Sequence, residues 1–237
     1  MANLPSTSPA KERIVCLDEC HCEIPAFNVL HTYTGHNNTS PELVADRIKD
    51  ATIIITTRVP LSADVLEQCS PELRLIAVMA AGYDIIDLKA CRKLGITVCN
   101  IPSASAEAVA EHAITLYLSV KRRVVELHAL TKQGEEWPLK KTAIHRYGGL
   151  PRTCRSESMG IIGYGTLGES CGIFIYGNPE LIFSGQRTAT IAKALGMTVI
   201  VSERKGASPT TTRPGRNEFY EMLEKSDVVV LCCPLDA

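Results

Sequence analysis

An apolar run, "MGII" at 159–162, leads directly into Gly163-Tyr164-Gly165-Thr166-Leu167-Gly168, so the chain carries G-x-G-x-x-G at the end of a candidate strand. In a strand-turn-helix unit each glycine has its own task. The first permits the tight turn, the second lets the backbone approach a pyrophosphate, and the third lets the next helix pack closely on the strand. The helix N-terminus then offers N–H groups and a partial positive charge to the phosphates. A second candidate strand, Thr198 to Val201, is followed by Glu203, whose carboxylate can accept hydrogen bonds from a ribose and would repel a 2′-phosphate. That favours NAD, while Arg204 and Lys205 directly after it leave NADP open.

The spacing does not fit. Gly168 and Glu203 stand 203 − 168 = 35 positions apart, where about 20 is ordinary. Between them lies "ESCGIFIYGNPELIFSG", in which Ile173 to Tyr176 favour strand and Gly177-Asn178-Pro179 would break a helix. Deleting 169–185 leaves "GYGTLGQRTATIAKALGMTVIVSE", with Thr188, Ile191, Ala192 and Leu195 on one helical face and a separation of 35 − 17 = 18. Gly168-Glu169-Ser170 can be encoded with a splice-donor-like GTGAGT, and Ser184-Gly185 with an acceptor-like AG, so that excision keeps the frame and the glycine. The segment 169–185 is therefore expected to be translated intron; a genuine loop insertion at the turn is the alternative.

Elsewhere short β-branched runs alternate with helical patterns, the mark of a parallel sheet wrapped by helices. Strands are expected at Ile14–Leu17, Ile53–Thr56, Leu75–Met79 and Ile96–Cys99, with helices after Ser40 and Ser62 and a third closed by Gly95. Val109, His112, Leu116, Val120 and Val124 recur at the helical period, predicting one long helix over 105–130 that links two domains, 1–104 and 105–237. Residues 131–158 read as an irregular connection. Twenty-five Lys and Arg against 26 Asp and Glu, without a basic run, argue against nucleic acid. The apolar runs are strand-sized and the N-terminus has no secretion-type core, arguing against a membrane span. Ten scattered cysteines suggest reduced thiols in the cytoplasm, and the Cys20-His21-Cys22 cluster fits no zinc spacing, so no metal is expected.

With these pieces in place the chain resembles the D-isomer-specific 2-hydroxyacid dehydrogenase family, particularly its glycerate dehydrogenase and hydroxypyruvate reductase-like members. The matching stretches are "AAGYDIIDLKACRKLGITVCNIP" at 80–102, "AEAVAEHAI" at 106–114, "MGIIGYGTLG" at 159–168 and "SDVVVLCCPLDA" at 226–237. The resemblance implies an α/β fold of two doubly wound parallel-sheet domains, a flavodoxin-like substrate domain and a Rossmann-type NAD domain, the second incomplete. It implies that the amides of Ala81 and Gly82 bind the carboxylate of a 2-keto or 2-hydroxy acid such as hydroxypyruvate or glyoxylate. It places the cofactor on Gly163, Gly165, Thr166, Leu167, Gly168, Glu203 and Arg204, with Cys233 and Pro234 beneath the nicotinamide, and implies a homodimer.

The family's catalytic arginine, glutamate and histidine lie downstream of the "PL" matched by Pro234-Leu235, beyond Ala237. The chain as written is thus expected to be inactive, and to aggregate through an open strand edge. Glu111 and His112 are adjacent on a helix and do not face one another, so both are read as architectural; Asp84 and Asp87 are read as turn and helix-start residues. A non-catalytic NAD-binding regulator of the corepressor type is the alternative from another class.

Overall fold

In the computed structural model the residues described are 11–233, apart from 22, 103, 165–183, 209 and 211. They form two compact units, one within 11–104 and the other from 105 onward.

The first unit is a five-stranded parallel sheet. Its strands are β1 (Glu12–Cys16), β2 (His31–Gly35), β3 (Ile53–Thr56), β4 (Leu75–Val78) and β5 (Thr97–Cys99). They are ordered β2-β1-β3-β4-β5, the flavodoxin-like arrangement. Apart from the edge strand β2, the strands are largely apolar on both faces because both are covered. Leu17, Val44, Ile48, Ile54, Leu66 and Ile76 pack on one side, and Ile14, Cys16 and Ile55 with Ile24 and Phe27 on the other.

Helices α1 (Val44–Ile48), α2 (Ala63–Leu66) and α3 (Leu88–Leu94) connect the strands. The side chain of Asp87 accepts hydrogen bonds from the amides of Lys89 and Ala90, both at 2.9 Å, and so caps α3. Gly95, at φ 72°, closes that helix in the left-handed conformation.

Strand β2 has no counterpart among the strands expected from the sequence. Four of its five residues, "HTYTG", are exposed. As an edge strand it is held through its pairing with β1, Ile14 opposite Tyr33, and backbone pairing leaves no hydrophobic signature.

The second unit begins with helix α4 (Ala106–Lys121), followed by α5 (Val124–Gln133) and α6 (Glu136–Lys140). The single long helix expected over 105–130 is thus two. Arg123 adopts φ 49°, and the exposed Arg122 carbonyl accepts a 2.7 Å hydrogen bond from the Tyr147 hydroxyl. The physical reason is that the buried face, Ala106, Ala110 and Ile114, runs out, while Val120 is 77% and Val125 78% exposed. Periodic valines with no core beneath them cannot hold one axis. The connection at 131–158 is likewise more ordered than expected, with α6 and two 3-10 turns within it.

A parallel sheet β7-β6-β8 follows, comprising β6 (Ser158–Ile162), β7 (Thr198–Val201) and β8 (Val228–Leu231). Helices α7 (Ser184–Ala194) and α8 (Phe219–Lys225) flank it. Ile114 of α4 packs with Met159, Ile161, Ala189, Ala192 and Met197 in the core. Beneath the start of β6, Glu157 is buried with Lys121, and the Tyr117 hydroxyl donates to it at 2.6 Å. Burial raises the Glu157 pKa, but the Lys121 and Tyr117 hydrogen bonds outweigh it and hold the carboxyl below its ordinary value.

Candidate functional site

In the first unit, the chain leaves β4 at Val78 and turns at its carboxyl end, where ligands of open parallel sheets bind. Ala81 and Gly82 occupy that turn and are exposed. The Ala81 carbonyl accepts from Asn100 Nδ2 at 2.8 Å, and the Ala80 carbonyl accepts from the Ile101 amide at 3.0 Å, pinning the turn to the segment after β5. A Cβ on Gly82 would lie 2.9 Å from Asp84 Oδ1, so Asp84 belongs to the same turn. Next along the sheet, buried Asp18 accepts from the amides of Thr57 and Arg58 after β3. That fold-back leaves the exposed Arg58 side chain at the same sheet end. Sequence reasoning passed over Arg58, because a lone arginine after a strand carries no motif.

In the second unit, Gly163 follows β6 at φ 91°, a conformation that favours glycine. A Cβ there would lie 2.5 Å from the Cys233 amide nitrogen. Helix α7 starts at Ser184 rather than at Gln186. A Cβ on Gly185 would lie 2.2 Å from the Gly163 carbonyl oxygen and 3.4 Å from Cys232 Cβ. Gly185 therefore makes the close helix-strand approach expected of the third glycine, although the proposed insertion boundary had set it aside. The two assignments are compatible, because removing 168–184 leaves the same sequence as removing 169–185. At Gly163 and Gly185 the backbone of α7 passes against that of β6 with no room for a side chain, which brings the N-terminus of an eleven-residue helix to the strand's carboxyl end, where its first amides would be available to a pyrophosphate. Gly165, Thr166, Leu167, Gly168 and Pro234 lie outside the described residues.

Glu203 follows β7 and is buried, with both carboxylate oxygens occupied. Oε1 accepts from the Arg204 amide at 2.9 Å and from Arg213 Nη2; Oε2 accepts from the Arg213 amide at 3.1 Å and Arg213 Nε at 2.9 Å. The Arg213 guanidinium, with the two amides, holds the carboxyl pKa down at about 2. The segment that carries Arg213 is clamped beside β7, where Asn217 exchanges backbone hydrogen bonds with Val201 and Glu203, each 2.8 Å. Arg216 donates to the Ser202 carbonyl at 3.1 Å and stacks 5.7 Å from the centre of the Tyr164 ring, inside the glycine turn. Lys205 points elsewhere, its ammonium lying 5.9 Å from the Phe219 ring and 6.0 Å from that of Tyr220. Tyr164, Gly185, Arg213 and Arg216 were not singled out from the sequence. Only tertiary pairing brings 213–217 beside Glu203, so no local spacing could have found the arginines.

Glu111 and His112 are exposed on α4 within their unit. A histidine-carboxylate pair does occur among the described residues, His145 Nε2 with Glu136 Oε1 at 2.6 Å. Arg146 and Lys140 share that glutamate, so it belongs to a surface ion cluster rather than to the sheet's carboxyl end. Among the described residues no cluster of His, Cys, Asp and Glu could hold a metal, and no helix is long and apolar enough to cross a membrane.

Comparison with known proteins gives a consistent result. The family of D-isomer specific 2-hydroxyacid dehydrogenases, catalytic domain, matches residues 14–226. A Haemophilus influenzae protein assigned as a 2-hydroxyacid dehydrogenase is 35% identical, covering 94% of this chain and 65% of its own length. Glycerate dehydrogenase of Methylorubrum extorquens is 32% identical, over 94% of this chain and 64% of its own length. The chain thus spans a little under two thirds of these relatives. Among solved structures, an acyclic imino acid reductase in complex with NADPH and D-Arg superposes with a TM-score of 0.74 at 22% identity. That match covers 95% of this chain and 66% of the reductase, a likeness of fold.

Proposed function

The chain belongs to the D-isomer specific 2-hydroxyacid dehydrogenases, and from that membership we propose that it serves an oxidoreductase acting on the CH–OH of a D-2-hydroxy acid. In the reductive direction the substrate would be a small 2-keto acid such as hydroxypyruvate or glyoxylate, with NAD or NADP as the hydride carrier. The observation that carries this reading is the close approach of Gly163 and Gly185, which sets the α7 N-terminus at the carboxyl end of β6, with Cys233 against it and Glu203 beyond the neighbouring strand.

The dinucleotide, when bound, supplies the hydride. The chain's own contribution is positioning. The α7 N-terminus would hold the pyrophosphate, the segment after β7 the adenosine ribose, and Cys233 would lie under the nicotinamide. In the first unit the exposed Ala81 and Gly82 amides would orient the substrate carboxylate, with the Arg58 guanidinium adding positive charge at the same sheet end. Residues 1–104 would be the substrate domain and 105–237 the dinucleotide domain of a cytosolic homodimer. The segment 169–185 would be an insertion dispensable to both.

The test is equilibrium binding of NADH and NADPH to the purified chain and to a form lacking 169–185, followed by calorimetry. Saturable binding, tightened at least tenfold by the deletion, is the expected result. Absence of saturable binding by both forms refutes the reading. Sequencing the spliced transcript across codons 168–185 separately decides whether the insertion is intron.

A further inference from the structure

An ionised carboxylate offers about four lone-pair sites. Those of Glu203 meet four N–H donors, the amides of Arg204 and Arg213 together with Nε and Nη2 of Arg213. A ribose diol arriving there would have to displace the half-exposed Arg213 from a bidentate pair with a buried carboxylate, the strongest ordinary hydrogen-bonded geometry available to a carboxylate. The charges point the same way. Arg213 cancels the negative charge of Glu203, while Arg204 follows directly and Arg216 sits between Ser202 and the Tyr164 ring. Arg204 and Arg216 therefore bring two further positive charges near this one carboxylate, and of these Arg216 reaches the glycine turn. Burial, and then the positive charge of Arg213, pull the Arg216 pKa below its ordinary value, as expected of cations crowded together where an anion would relieve them.

We propose that Arg213 is a specificity-determining residue. By occupying Glu203 it converts the expected ribose acceptor into one wall of a 2′-phosphate site that Arg204 and Arg216 complete, so that the chain prefers NADPH to NADH. The inference rests on the dinucleotide reading above and assigns the form of the nucleotide. It also reverses the preference expected from the sequence, which reads Glu203 as a ribose acceptor favouring NAD and Arg204 with Lys205 as leaving NADP open. Lys205 instead lies over the aromatic pair of α8.

Binding of NADPH, NADH, 2′,5′-ADP and 5′-AMP to the full-length chain, measured by calorimetry at one fixed ionic strength, tests this without requiring turnover. The 2′-phosphate is expected to tighten binding at least tenfold in both pairs. Arg216→Gln should weaken NADPH and 2′,5′-ADP while leaving NADH within about twofold. Arg213→Gln should swing the NADPH-to-NADH ratio at least tenfold toward NADH. Should that variant fold poorly, Glu203→Gln decides. A glutamate held by Arg213 can be neutralised with NADH affinity unchanged, whereas one that binds ribose would lose NADH affinity about tenfold. NADH binding as tightly as NADPH, or losing affinity in Glu203→Gln, overturns the inference and leaves the dinucleotide reading standing. If neither nucleotide binds, the dinucleotide reading fails and this one fails with it.

Discussion

Replacing Gly185 by alanine sets two effects of known size against each other. In a free helix the change is favourable, by up to about 1 kcal/mol in a helix interior. Here the new Cβ would sit 2.2 Å from the Gly163 carbonyl oxygen, more than an ångström inside the roughly 3.5 Å at which non-bonded atoms attract. The obstacle is backbone, so no rotamer change relieves it, and α7 must move away from β6. Overpacking of this kind costs about 1–3 kcal/mol. The net expectation is a loss of about 1–2 kcal/mol and a urea midpoint lowered by about 0.5–1 M. Trp137, the chain's single tryptophan, lies in the second unit and reports its unfolding by fluorescence. The displaced helix N-terminus should also weaken NADPH binding at least tenfold. An unchanged or raised midpoint, as helix propensity alone dictates, would refute the close approach and return the third-glycine role to Gly168.

Three other outcomes follow from the same geometry. Glu203 has a folded pKa of about 2 against an ordinary value of about 4.3. Its contribution is therefore present above the unfolded value and lost as pH falls from about 5 toward 2. With Arg213 47% exposed, that contribution is about 1–2 kcal/mol, and Glu203→Gln should show a shallower acid loss of stability in urea titrations at stepped pH. Lys121→Met removes the buried partner of Glu157 and leaves that carboxylate only the Tyr117 hydroxyl and the exposed Arg152, which should cost about 3 kcal/mol; adding Glu157→Gln should recover part of it, and a double-mutant cycle that is merely additive would sink the pairing. Asp87→Ala removes the cap accepting from Lys89 and Ala90 and should cost the first unit about 1 kcal/mol in thermal unfolding.

The parts legible in the sequence were those written locally. Strands β1, β3, β4 and β5 announced themselves as apolar, largely β-branched runs because both faces of their sheet are covered, which leaves polar residues only at the strand ends. Gly95 and Asp87 marked the ends of α3 because caps depend on the nearest few residues. The turn at Gly163 was legible for the same reason, since a positive φ is a one-residue demand. Strand β2 was not, because an exposed edge needs only a neighbour's backbone. The break at Arg122-Arg123 was not, because helical spacing continues through it and only the missing core ends the helix.

The sequence by itself determined the class of sheet, the glycine turn at its carboxyl end and the acidic residue after β7, each set by steric and hydrophobic rules acting over a few residues. Tertiary structure decided how that acidic residue is used. Arg213 is ten positions from Glu203, yet it reaches the carboxylate because the backbone pairing of Asn217 with Val201 and Glu203 folds the segment back alongside β7. Likewise Gly185 rather than its sequence neighbours touches Gly163, because helix packing selects by distance in space.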